Sequence, residues 1–156
     1  MSGEALWPFA LAVYGRPGAE AILLELQDAH GQCVAYLIWA LWLDAEGRLA
    51  DDAALASAAE LARAWQDTAV APLRGLRRSL KQPSKAAPKR AWGLLRDRVK
   101  GLELDAERML LQMLESASPA PAAAGSDPLA GLQRAARAWG GAAPTDLLQL
   151  LVAAAA

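Results

Sequence analysis

Residues 33–43, from Cys33 through Trp39 to Leu43, contain no charged side chain. Wound at 3.6 residues per turn, such a run is apolar around its whole circumference, which predicts a helix buried against several neighbours. Eleven residues are too few to cross a bilayer, which takes about 20. The run is therefore expected at the centre of a helical bundle. The rest of the chain agrees. Ala and Leu dominate, while strand-favouring residues are few: 5 Val, 2 Ile, 2 Thr, 2 Tyr and 1 Phe in 156 residues. A chain of this length can fold alone, without disulfides or metal.

The spacing of breakers and caps divides the chain into helices. Pro8 sits near the start of a first helix that runs to about Tyr14, and Gly15, Pro17 and Gly18 end it. A second covers about 19–29, with Gly31 placed for a left-handed cap. After the central helix and the turn at Gly47, Asp51 or Asp52 can cap a fourth helix. Its apolar positions are Leu55, Ala58, Ala62, Trp65 and Ala69, and Leu73, Leu76 and Leu80 continue the period beyond Pro72. Proline removes one backbone bond, so a bent helix is expected there. A polar loop with Pro83 and Pro88 spans 82–89. From Trp92, the positions Leu95, Val99, Leu102, Ala106, Met109 and Met113 match a heptad seam on a long helix. Residues 1–115 are read as the bundle domain, 116–127 as a flexible linker and 128–156 as a C-terminal helical extension opened by Asp127 and Pro128. The fold class is all-α, a single domain with about five core helices.

The first quarter also carries a recognisable pattern. Leu6, Trp7, Phe9, Ala10, Tyr14, Pro17 and Gly18 precede Leu26, Gln27, Asp28, Gly31 and Val34, and then Leu37, Leu41, Trp42 and Leu43. This arrangement resembles an uncharacterised proteobacterial family of unknown function, and implies a family without implying an activity. That family's pattern has a later Asp and Asn where this chain has Cys33 and Ala35. The departure favours a structural role for the Gln27-Asp28 block, with Asp28 as a cap near the turn.

Chemistry-bearing residues are sparse. His30 and Cys33 are the only His and Cys, which leaves no multi-cysteine metal site and no internal disulfide. Cys33 is expected as a small buried hydrophobe. No phosphate-binding glycine loop, dinucleotide fingerprint or nucleophile elbow occurs, so no cofactor is implied. A lone Cys and an acidic start, with Glu4 where a leader would be basic, point to the cytoplasm. Of the six tryptophans, Trp39 and Trp42 are expected in the core, and Trp7 and Trp139 at more exposed positions.

Charge is the strongest functional signal. Between Arg74 and Lys100 there are ten basic residues against Asp97 alone, a local net of +9 in a chain of net −1. The candidate binding residues are Arg74, Arg77, Arg78, Lys81, Lys85, Lys89, Arg90 and Arg96. Three outlets exist: the acidic first 73 residues, with ten acids and three bases; an acidic protein partner; or a phosphate backbone. A pI near 5.8 lacks the domain-wide basicity of nucleic-acid binders. The reading is a non-enzymatic interaction or accessory protein that meets an acidic partner through this basic hairpin. The alternatives are an enzyme or small-ligand binder centred on the Gln27, Asp28 and His30 turn, and nucleic-acid binding through the same hairpin.

Overall fold

The computed structural model describes residues 4–82, 85–86, 88–122 and 127–156. They form α1 (Leu6–Tyr14), α2 (Ala19–His30), α3 (Val34–Ala45), α4 (Asp52–Trp65), a π-helical turn (Gln66–Val70), α5 (Ala71–Ser79), α6 (Lys89–Ser116), α7 (Pro128–Trp139) and α8 (Thr145–Ala155). Among the described residues the only β-type pairing is a bridge between Arg48 and Pro121. The fold is all-α, and among the described residues no helix is long and apolar enough to cross a membrane.

Helix α3 lies at the centre, with every residue from Val34 to Leu43 buried. Two of its polar side chains find partners on neighbouring segments. The Tyr36 hydroxyl donates to the Leu55 carbonyl at 3.0 Å, and Trp39 Nε1 donates to Ser118 Oγ at 2.7 Å. One apolar cluster gathers α3 together with residues of α1, α2, α4, α6, α7 and α8. Helix α5 buries no residue and packs mainly on α6 and the π turn. Leu80 and Val99 are buried between the two arms of this α5–α6 hairpin, apart from the main cluster.

Local signals place several helix ends. Gly18 and Gly31 bracket α2 in the left-handed region, at φ 81° and 63°. Asp51 caps α4 by accepting from Ala54 N at 2.7 Å, and Asp127 caps α7 by accepting from Leu129 N and Ala130 N. The expected bend around Pro72 takes the form of the π turn that leads into α5. The start of α1 has no cap of its own. Glu115 supplies one from α6, accepting from Ala5 N at 3.0 Å and Leu6 N at 3.1 Å, a carboxylate on unpaired helix-start donors.

Three expectations are corrected. The heptad seam on α6 is only half right: Val99 and Ala106 are buried, but Leu95, Leu102 and Met109 are about half exposed. The buried line runs instead through Val99, Glu103, Ala106, Leu110, Leu111 and Leu114. Trp139 is buried, not exposed, because α7 lays it on the α2–α3 turn. There Nε1 donates to the Gly31 carbonyl at 2.8 Å, its ring meets Tyr36, and Arg63 stacks over it at 4.1 Å while donating to its carbonyl. Finally, Asp28 caps nothing. It lies within the last turn of α2, and Cys33 at the start of α3 receives no side-chain cap.

The loop expected over 82–89 and the linker expected over 116–127 lie partly outside the described residues. Ser116 still belongs to α6, and beyond it Ala122 N donates to the Gly47 carbonyl at 2.8 Å. Helices α7 and α8 pack against α3, α4 and α2.

Candidate functional site

A cleft of about 340 Å³ opens between α1, α2, α5 and α6. Its walls are apolar, with Trp7, Leu11, Leu23, Leu24, Leu104 and Leu111 among them. Its floor is charged. Arg74 and Arg77, on the face of α5 turned to α6, converge on Glu103: Arg74 Nε at 3.1 Å and Arg77 Nε at 2.5 Å from its two oxygens. One turn further along α6, Glu107 takes a single contact from Arg74 at 3.3 Å. Tyr14, Glu20, Gln27 and Arg78 add further polar groups to the lining.

The two carboxylates have opposite electrostatic fates. Burial opposes ionisation of Glu103, yet hydrogen bonds from Arg77 and Arg74 outweigh it and hold its pKa below the ordinary value. At Glu107 burial wins over the one Arg74 contact, and its pKa is raised. The Tyr14 phenol is also pushed up, by burial and then by the nearby Glu107. Cys33, behind the cleft, is buried and its thiol is pushed up to about 11, so little of it is thiolate near neutral pH.

The sequence-selected residues fall into three groups. Arg74, Arg77 and Gln27 line the cleft, so part of the basic segment and part of the polar turn meet in one place. Arg78 and Asp28 form an ion pair at its rim, 3.5 Å apart and more than half exposed. Lys81, Lys85, Lys89 and Arg90 lie away from the cleft, exposed, without an ion pair to any described residue. Arg96 is half-buried on the hairpin, its Nε without a hydrogen-bond partner among the described residues. His30 ends α2 and does not line the cleft. Sequence reasoning missed Glu103 and Glu107. Their signal was present, since Glu103 sits four residues after Val99 and three before Ala106 on the buried line.

No group of three or more His, Cys, Asp or Glu among the described residues is arranged to hold a metal ion. Fold and cleft together define an all-α bundle protein with an amphipathic cleft and an adjoining basic hairpin. The chain belongs to a protein family of unknown function, DUF2390, whose profile matches residues 5–114. Neither a curated protein nor a solved structure matches it. The matched region covers α1 through most of α6, including the whole cleft.

Proposed function

We propose that this is a non-enzymatic binding protein that meets an acidic protein partner through its α5–α6 hairpin. One observation carries the reading. Arg74 and Arg77 are spent internally on Glu103 and Glu107, but Lys81, Lys85, Lys89 and Arg90 face solvent with no acid of the described chain to neutralise them. Beside them Leu76 and Leu94 are about half exposed. Cations that steer, next to apolar side chains that can be desolvated on contact, suit a protein surface better than a phosphate backbone.

The test is affinity capture from native lysate at low and high salt, with and without nuclease. Reversing Lys81, Lys85 and Arg90 to Glu should abolish capture and leave the melting temperature unchanged. Arg77 is left intact because its loss would strand Glu103. Nuclease-sensitive capture would assign the hairpin to nucleic acid instead, and capture unaffected by the reversal would overturn the hairpin reading.

The cleft supports a second reading, a small amphipathic ligand held by its leucine and tryptophan walls over the Arg74–Glu103–Arg77 floor. Trp7 on one wall supplies a fluorescence probe. A ligand that changes tryptophan emission in the parent, but neither in Trp7→Phe, which leaves the other five tryptophans in place, nor in Leu104→Arg, which fills the mouth, would favour it.

A further inference from the structure

The face that α6 leaves uncovered has a regular pattern. Leu95, Leu102 and Met109 recur every seven residues and are 48%, 54% and 50% exposed. Seven residues are nearly two full turns, so the three side chains form one straight stripe about 21 Å long. At its Met109 end the stripe runs into an open groove between α4 and α6, lined by Leu61, Trp65 and Met113. A continuous apolar surface of this kind, exposed to water, calls for an occupant.

The flanking charges identify it. Arg98 and Asp105 lie along the same edge of the stripe, four residues before and three after Leu102, and are exposed. Neither has a salt bridge to a described residue. Consider a second copy of α6 laid antiparallel on the first, with a two-fold axis passing beside Leu102. The axis lies in the interface, so the charged edge of one helix stays on the same side as the charged edge of the other. Arg98 then comes level, within one residue, with Asp105 of the second copy, and the reciprocal pair forms by symmetry. Leu95 meets the second copy's Met109, and the two Leu102 side chains meet on the axis. A parallel pairing, whose two-fold runs along the helices, would instead carry the two charged edges to opposite sides of the stripe and leave Arg98 and Asp105 without each other.

The geometry points to α6 as a self-complementary interface: the occupant is a second copy of this chain, docked antiparallel along Leu95, Leu102 and Met109. This goes beyond the hairpin reading and uses a different face of the same helix.

Sedimentation equilibrium on the full chain, across a range of protein concentrations, tests it. The parent should sediment as a dimer at the upper end. Leu102→Glu, at a half-exposed position, should be monomeric with unchanged helical circular dichroism and melting temperature at dilute concentration. Arg98→Asp or Asp105→Arg alone places like charges together twice per dimer and should weaken association about tenfold, equivalent to roughly 1.4 kcal/mol. The double variant Arg98→Asp/Asp105→Arg restores both pairs with their signs exchanged and should recover the parent affinity. Leu102→Cys, on the axis, should form an intermolecular disulfide on mild oxidation, with little interference from the buried Cys33. A monomer at every concentration overturns the inference, as does a dimer that Leu102→Glu leaves intact or a double variant weaker than both singles.

Discussion

Replacing Glu103 and Glu107 one at a time by glutamine separates two carboxylates that sit one turn apart on the same face of α6. Glu103 is 10% exposed and accepts from both Arg74 and Arg77, while Glu107 is 28% exposed and takes one longer contact. Glu103→Gln keeps the shape and one acceptor but removes the charge that two part-buried guanidiniums share. Breaking a buried pair by removing one partner costs ~3–5 kcal/mol, and the water still reaching the arginines places this case near the lower end. At Glu107 the charge is already disfavoured, so Glu107→Gln should change stability by no more than ~0.5 kcal/mol in either direction at neutral pH. The pH dependence distinguishes them further. With its folded pKa lowered from 4.5, Glu103 contributes stability that is complete above 4.5 and lost as pH falls through the folded value. With its folded pKa raised from 4.5, Glu107 acts in reverse, and its ionisation costs stability as pH rises from 4.5 to the raised value. Urea denaturation from about pH 3 to 7 should show the acid limb flattened in Glu103→Gln and a decline removed above 4.5 in Glu107→Gln. Equal losses in the two variants, or an acid limb unchanged by Glu103→Gln, would refute the asymmetry.

Leu37→Ala, at a fully buried position of α3, should cost ~2–5 kcal/mol, read as a lowered urea midpoint with an unchanged slope. Asp28→Ala and Asp28→Asn should both fall within ~1 kcal/mol of the parent, because each removes an exposed ion pair to Arg78 and the alanine variant loses in addition an exposed hydrogen bond from Gln27 Nε2; a loss well beyond ~1 kcal/mol confined to Asp28→Ala would restore a backbone-capping role. Trp139→Ala should cost ~3–5 kcal/mol in one cooperative transition, since its ring is buried against Tyr36 and its Nε1 bonds the α2–α3 turn. A separate early transition in the parent would show α7 and α8 melting independently of the bundle.

What could be read from sequence divides along a physical line. Helix α3 was legible because eleven uncharged residues leave no polar side to expose, and the burial of Val34 through Leu43 follows from that fact alone. The caps at Asp51 and Asp127 and the left-handed Gly31 were legible because each depends on residues within five positions. Contacts between distant segments were not. Nothing near Glu115 announces that it closes the start of α1, and nothing near Trp139 announces Gly31 as its acceptor. Helix α6 failed for a related reason. Counting leucines draws the seam through Leu95, Leu102 and Met109, whereas the helix buries the neighbouring line, with a glutamate in its middle. A carboxylate can lie on a buried line only if a partner follows it in, and the arginines that do so are 26 and 29 residues away on α5.

That exchange also changes what the basic segment means. In the sequence, Arg74 and Arg77 count toward a block of ten cations, and an acidic outlet is sought in the first 73 residues. In the fold, their outlet is Glu103 and Glu107, inside the very helix that supplies half the cations, while the first 73 residues contribute only Asp28 to Arg78. Helix α6 therefore has two charge regimes along its length. Its start carries Lys89 and Arg90 into solvent, and its middle holds carboxylates against α5. The +9 block is thus part scaffold and part surface, and reversal of Lys81, Lys85 and Arg90 addresses the surface alone. A loss of binding in that variant without a loss of stability could not arise from the scaffold, whereas the same reversal at Arg77 would confound the two.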